Sequence, residues 1–311
     1  MAEPNLNNLI VVSGPTASGK TKLAANIAYN LGSEIISADS RQVYRNLDIG
    51  TGKDLNEYTI NKKQIPYHLI NVVDANEQYH LAKYLKDFNE VYFKINKTSI
   101  PILCGGTGLY IQSVLQNHQF ANVPINNHLR LALGNKTLDE LKDIFHEFPK
   151  NAYTSLVDLS TLKRAIRAIE ICDFLNSNEF EFKPSNFNYL FFALNPSLEL
   201  RRENIEKRLN QRLKNGLIEE VENLLKMGVS HDRLQFFGLE YKYLSKYLLN
   251  EIFFNELQQH LTIAIQQYAK RQMTFLRKME KDGIKIIWLN PQNTLHENVE
   301  YCTDLIKKHF I

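Results

Sequence analysis

An apolar run, Leu9–Val12, leads into Gly14-Pro-Thr-Ala-Ser-Gly19-Lys20-Thr21, and an amphipathic helical pattern follows. The spacing is GxxxxGK[ST], and few local patterns restrict a fold so tightly. It calls for a buried strand, a tight loop and a helix whose first turn aims its backbone amides at an anion. A strand feeding a helix in this way belongs to a parallel sheet with helices on its faces. Gly14 and Gly19 permit the tight backbone, Lys20 adds a point charge, and Thr21 offers a hydroxyl to Mg²⁺. Pro15, Thr16, Ala17 and Ser18 complete the loop. Such a loop cradles phosphates, but a diphosphate needs no adenosine attached to it, so the motif alone leaves the ligand open.

The rest of the chain extends the same pattern. β-type runs recur at Leu9–Ser13, Glu34–Ala38, His68–Val73, Ile100–Cys104, Tyr189–Leu194 and Ile284–Leu289, most of them separated by helical patterns. Between about Asn117 and Lys183 the strands stop. Helices at Thr137–Phe148 and Thr161–Leu175 and polar connections such as "NSNEFEFKPSN" read as an insertion between two core strands. Helical pattern then dominates over Ser197–Met227 and Asn255–Lys281. The expected division is therefore a core first part at 1–117, a helical insertion at 118–185, and a core second part at 186–311.

Composition bounds the class. The 311 residues are 44% hydrophobic and 23% charged, ordinary for a globular chain with a substantial core. No basic segment with an apolar h-region opens the sequence, and no run approaches the ~18 apolar residues of a membrane span. Neither a signal peptide nor a membrane anchor is expected. Cys104, Cys172 and Cys302 are odd in number and far apart, which suits a reducing cytoplasm better than a disulfide frame or zinc site. A net charge of +3 neither requires nor excludes a nucleic-acid partner.

Three further stretches bear chemistry. In "SADSRQVYRNLDIGTGK", Asp39 falls just past the carboxyl end of a strand, the edge that faces the ligand crevice of an open α/β sheet. It reads as a general base near the phosphates or as a turn aspartate, and Arg41 and Gln42 read as substrate contacts or as surface. "ILCGGTGLY" ends a strand with Gly105, Gly106 and Thr107 where an ATPase usually carries a Mg²⁺-holding aspartate. The paired glycines let backbone approach a ligand, and Thr107 can donate to a phosphate oxygen. In "TLKRAIRAIEI", Leu162, Ala165, Ile166 and Ile169 mark a core face, while Lys163, Arg164 and Arg167 make a basic face, either solvated or RNA-binding. The helix near Leu198 mixes Arg201, Arg202, Lys207, Arg208 and Arg212 with glutamates, as a salt-bridged surface helix does. In "YAKRQMTFLRK", Met273, Phe275 and Leu276 read as core positions.

In order, "GPTASGKT", "SADSRQVYRNLDIGTGK", "YHLINVVD", "GGTGLYI", "RAIRAIEI", "NGLIEEV" and "YAKRQMTFLR" resemble the bacterial tRNA dimethylallyltransferases, from about Leu9 to Leu289. The resemblance implies a P-loop NTPase-like parallel sheet core with an inserted all-helical domain and a helical C-terminal part. It implies transfer of a dimethylallyl group from dimethylallyl diphosphate to N6 of adenine 37 in tRNAs reading codons that begin with U. Carried over by position, Gly14–Thr21 bind the diphosphate with Mg²⁺ near Thr21, and Asp39 is the base. Thr107 belongs to the reacting centre, and Lys20 and Arg208 stabilise the leaving group. Asp39, Ser40, Arg41, Gln42, Thr107, Arg130, Lys163, Arg164 and Arg167 fall where the family meets the anticodon stem-loop. A cytoplasmic monomer is implied.

The chain departs from the family's usual residues at Ser160-Thr161, Asn204, Leu239 and Ile265-Gln266, while the phosphate and base motifs are intact. Two other readings carry distinct expectations. A small-molecule kinase or NTPase would turn over ATP, which the missing acid after the fourth strand disfavours. A silent RNA-binding protein would tolerate loss of Lys20 or Asp39.

Overall fold

β1 (Asn7–Ser13) is buried from Leu9 to Ser13, as befits a strand covered on both faces. The structure, a computed structural model, describes residues 7–116, 119–151, 153–154, 157–179 and 187–310. After β1 the chain forms α1 (Lys20–Leu31), β2 (Ile35–Ser37), a hairpin of β3 (Thr59–Ile60) and β4 (Lys63–Gln64), then β5 (Tyr67–His68) and α2 (Leu81–Ile95). β6 (Ile102–Gly105) and α3 (Gly108–Leu115) precede α4 (Asn127–Leu133), α5 (Leu138–His146) and α6 (Leu162–Ser177). β7 (Phe187–Leu194) leads to α7 (Leu198–Lys214), α8 (Leu217–Lys226), α9 (His231–Phe236), α10 (Leu239–Leu248) and α11 (Phe254–Lys281). β8 (Ile287–Leu289) and α12 (Leu295–Phe310) follow.

Six strands form one sheet in the order β5-β2-β6-β1-β7-β8, every pairing parallel. β1 takes β6 along one edge, Ser13 opposite Gly105, and β7 along the other, Asn7 opposite Phe187. The carboxyl ends of β1, β2 and β6 therefore emerge side by side, and the P-loop, Asp39 and Gly105-Gly106-Thr107 all lie there. α1 starts at Gly19, whose φ of 83° is left-handed, and stops at Gly32, also left-handed at 61°. Between them Leu23 and Ile27 are wholly buried against the sheet and α12, each contributing about 1.5–3 kcal/mol by burial.

The chain divides into two units, Met1–Leu115 with Asn186–Ile311, and Gln116–Ser185. The second is helical over its described residues and has its own core of Leu133, Leu141, Phe145, Ala165, Ala168, Ile169 and Cys172. The boundary positions 117, 118, 185 and 186 of the expected division, and much of "NSNEFEFKPSN", lie outside the described residues.

Several sequence expectations need correction. The run His68–Val73 is not one strand: β5 ends at His68, because Leu69 and Asn71 adopt left-handed φ of 61° and 58°. Asn71 and Val72 donate instead to the carbonyls of Gln42 and Val43. The helical run Ser197–Met227 breaks into α7 and α8 at Gly216, φ 97°. Leu162 is exposed at the first turn of α6, while Ala168 and Cys172 are part of the core. The arginines of α7 do not form a surface ladder within the helix: Arg208 and Arg212 pair with Asp54, and Arg212 with Glu240. Met273 and Leu276 are buried as expected, and Phe275 packs where a Cβ on Gly108 would stand.

Candidate active site

A cavity of about 610 Å³ opens at the carboxyl ends of β1 and β2. The P-loop, Asp39–Gln42, the Gly50–Glu57 loop, α7, the α9–α10 connection and α11 all contribute to its wall. The loops are held there by backbone geometry that leaves no room for other residues. A Cβ on Gly105 would stand 2.2 Å from the Ala38 carbonyl oxygen, so β6 reaches β2 this closely because residue 105 is glycine. Ala17 holds a left-handed φ of 58°, a conformation unfavourable for a residue with a Cβ, at the crest of the P-loop.

The P-loop is ready for an anion. Lys20 donates one long bond, 3.4 Å, to the Pro15 carbonyl. Burial lowers its pKa and nearby Arg208 lowers it further, against the pull of Cys104, Asp39 and Glu57, so its ammonium is short of negative charge. Ser18 Oγ is buried with no hydrogen-bond partner among the described residues, an orphan that a phosphate oxygen would satisfy. Both features fit a bound phosphate chain.

Asp39 lines the same cavity. Its Oδ1 accepts from the amides of Arg41 (2.9 Å) and Gln42 (3.4 Å), so it does close a turn. The two readings of this residue are compatible, because Oδ2 has no protein donor among the described residues. Thr107 is placed differently from the expectation of a phosphate donor. Its Oγ1 accepts from the Ser40 amide at 3.0 Å and donates to Ser40 Oγ at 3.3 Å, while its amide bonds to the Ala38 carbonyl. A hydroxyl has one proton, and here it is used to fix the Asp39 loop. Gln42 is likewise engaged, donating through Nε2 to the Gly52 carbonyl. The Arg41 guanidinium lies 4.4 Å from the centre of the Phe236 ring at the cavity wall.

α7 sends Asn204, Arg208 and Arg212, spaced by four, toward this cavity. Asn204 donates to the Ala17 carbonyl (3.3 Å), and Arg208 donates to Asp54 and to the Gly52 carbonyl. Gly52 is left-handed at 64°, and its missing Cβ leaves space for the Arg212 guanidinium. Glu220 clamps the same loop, accepting from the amides of Asp48 (2.8 Å), Ile49 (2.7 Å) and Gly50 (3.0 Å) and from Tyr241 Oη (2.7 Å). Sequence reading missed Gln272, Asn204 as a P-loop contact, Glu220 and Asp54. "NGLIEEV" marked the neighbourhood of Glu220 without singling it out.

In the helical unit, Glu170 is 2% exposed and gathers Arg130 in a two-point bond (3.0 and 2.9 Å), Arg167 and the Asn126 amide. Arg167 also donates to the carbonyls of Phe120, Ala121, Val123 and Pro124. The structure thus gives Arg130 and Arg167 an internal clamp that the sequence reading did not foresee. Arg164 pairs at the surface with Asp158 (2.5 Å), and Lys163 is exposed. Thr161 caps α6 through the Arg164 amide, so the departure there still starts the helix.

Comparison with known proteins points one way. A family model described as IPP transferase matches residues 42–279, and one described as isopentenyl transferase matches residues 7–74. The tRNA dimethylallyltransferase 2 of Phocaeicola vulgatus is 46% identical over 301 residues, covering 96% of this chain and 97% of its own. The tRNA dimethylallyltransferase 1 of Azobacteroides pseudotrichonymphae is 49% identical over 293 residues, covering 93% and 95%. The crystal structure of the full-length tRNA isopentenylpyrophosphate transferase of Bacillus halodurans superposes with a TM-score of 0.72 at 26% identity, over 97% of this chain and 96% of its own. A eukaryotic dimethylallyltransferase acting on tRNA shares the fold, with a TM-score of 0.77 at 21% identity over 98% and 80%.

Proposed function

The chain belongs to the IPP transferase family and transfers a dimethylallyl group to tRNA; from that premise we propose that the cavity takes dimethylallyl diphosphate as donor and modifies N6 of adenine 37 in tRNAs reading codons that begin with U. The observation that carries this reading is the pairing of an anion cradle and an unspent carboxylate in one cavity: the P-loop with Lys20, and Asp39, whose Oδ1 alone is taken up by the turn amides, both line it. An allylic C–O bond breaks with positive charge spread over the allyl carbons, so the protein must stabilise the departing diphosphate. The P-loop amides, the underpaired Lys20 and the orphaned Ser18 hydroxyl supply donors where that charge develops. Arg208 adds a further cation once it exchanges Asp54 for the leaving group.

The adenine amine is a poor nucleophile because its lone pair is delocalised into the ring. Asp39 Oδ2 accepts its hydrogen bond, orients it and takes the proton as the N–C bond forms, while the Arg41 and Gln42 amides hold Oδ1 still. Thr107 fixes the loop that carries Asp39. The target base must leave its stack to reach the cavity, and the exposed Lys163 and Arg164 of the helical unit offer charge to the RNA backbone.

We include Mg²⁺ in the proposal. The Thr21 hydroxyl lines the cavity, and no group of three acidic or histidine ligands exists among the described residues. That donor set suits an ion held chiefly by substrate phosphates and water. When bound, it would neutralise charge on the diphosphate oxygens. We also propose a monomer, and no described helix is long and apolar enough to cross a membrane.

The test is to incubate the protein with unmodified tRNA bearing A36-A37-A38, Mg²⁺ and labelled dimethylallyl diphosphate without ATP, then digest to nucleosides. Labelled N6-dimethylallyladenosine is expected. Asp39→Asn, which keeps an acceptor for both turn amides, should lower turnover by about 10²–10⁴-fold. Transfer that survives Asp39→Asn removes the base from the mechanism, and ATP turnover in place of prenyl transfer overturns the donor assignment.

A further inference from the structure

Gln272, on the cavity-facing side of α11, uses both ends of its amide. Oε1 accepts from the Thr16 amide of the P-loop at 2.8 Å, and Nε2 donates to the Gly106 carbonyl at 2.9 Å. One side chain thus ties the anion loop that follows β1 to the glycine loop that follows β6. The fit leaves no slack: a Cβ on Gly106 would stand 2.5 Å from Gln272 Nε2 and 3.5 Å from Lys20 Cε. From α7, Asn204 holds the carbonyl of the next P-loop residue, Ala17, whose backbone is left-handed. The phosphate loop is braced from two helices that lie far away in the sequence.

We propose that Gln272 is a positioning residue, setting the register between the diphosphate cradle and the Gly106-Thr107 turn that supports Asp39. The chain of contacts is short. Gln272 holds Gly106; the next residue, Thr107, holds Ser40; and Ser40 adjoins Asp39. A diphosphate bound at Lys20 and an amine presented to Asp39 therefore meet at a separation that this amide fixes. Reaction across such a gap is sensitive to displacements of an ångström or less. This inference rests on the donor and base assignments above.

The experiment uses Gln272→Ala, Gln272→Glu and Gly106→Ala in the full chain, with two readouts. Binding of Mg²⁺-pyrophosphate, followed calorimetrically, reports the P-loop without any transfer reaction. Steady-state transfer reports the KM of the donor, the KM of tRNA and kcat. Gln272→Ala should weaken pyrophosphate about 3- to 10-fold, the loss expected for hydrogen bonds of this kind, and lower kcat, with the tRNA KM unchanged. Gly106→Ala displaces only the tip of Gln272, so it should reproduce that phenotype. Added to Gln272→Ala, it should cost little more, because the interaction it breaks has already gone. Gln272→Glu keeps the acceptor but loses the donor at neutral pH. Protonation restores both, so its activity relative to wild type should rise as the pH is lowered.

Unchanged pyrophosphate binding and unchanged kcat in a folded Gln272→Ala protein overturn the brace. So does a defect confined to the tRNA KM, which would make Gln272 an RNA contact. If wild type binds pyrophosphate but transfers no prenyl group, the functional reading fails, and the pyrophosphate series still decides the brace.

Discussion

Glu170 offers the most quantitative test of how the helical unit is built. Its carboxylate is almost inaccessible and accepts from the Asn126 amide at 2.6 Å, from Arg130 Nε and Nη2 at 3.0 and 2.9 Å, and from Arg167. Removing one member of a buried ion pair costs about 3–5 kcal/mol. Here Arg130 and Arg167 keep 39% and 25% of their side-chain surface, so water compensates in part and about 2–4 kcal/mol is expected. In a unit this small, that is a large share of the total stability. Hydrogen exchange reads the effect: α6 amides in Glu170→Ala should lose protection by about 30- to 1,000-fold, the same free energy expressed as a ratio. α1 amides and pyrophosphate binding should stay as in wild type, while tRNA binding weakens. The pH dependence has a definite sign. Burial disfavours the charged form of Glu170, but the bonds from Arg130, Arg167 and Asn126 outweigh it, and the carboxyl sits below its ordinary 4.5. The clamp therefore contributes fully above pH 4.5 and is lost as pH falls through the lowered value, so wild type and Glu170→Gln should converge in acid. Protection of α6 within threefold of wild type in Glu170→Ala at neutral pH would refute the reasoning.

Thr107→Val removes the acceptor for the Ser40 amide while keeping the shape; kcat should fall about tenfold with pyrophosphate affinity intact, and Thr107→Ser should restore it, as single-turnover rates would show. A tRNA-affinity loss without a rate effect would instead make Thr107 an RNA contact. Lys163→Glu should weaken tRNA binding and reduce the slope of log affinity against log salt by about one, read from a salt titration; an unchanged slope removes Lys163 from the RNA surface. Arg167→Ala should behave differently, lowering the melting temperature of the helical unit, because its guanidinium holds four carbonyls of the same unit.

The parts legible in the sequence were those encoded by local periodicity and glycine. Leu9–Val12 followed by Gly14–Thr21 specified β1, the loop and α1, because a buried parallel strand is a continuous apolar run and the phosphate loop has a fixed spacing. The pause in strands after Asn117 marked the helical unit for the same reason. His68–Val73 misled because β-branched and apolar residues also line irregular backbone, and nothing in "HLINVV" announces left-handed turns at Leu69 and Asn71. The basic face of α6 looked uniform in sequence, yet Arg167 turns inward because Glu170, three residues on, is buried beside it. Gln272 lay inside "YAKRQMTFLR", but nothing in that stretch singled it out. A glutamine on a long helix is ordinary until the fold brings Thr16 and Gly106 to either side of it.

The central position of β1 has a consequence for synthesis on the ribosome. One edge of β1 is completed by β6, but its other edge waits for β7, and roughly 180 residues separate Asn7 from Phe187. At about 5–20 residues per second, the nascent chain spends roughly 10–40 s with that edge unpaired. An open apolar strand edge is a template for mispairing with another chain. The helices at Asn127–Leu133, Leu138–His146 and Leu162–Ser177 emerge during this interval and close a core among themselves. A stall or a slow-codon cluster placed within that window would lengthen the exposure of β1, so the yield of native protein should be more sensitive to translation speed there than after β7 has emerged.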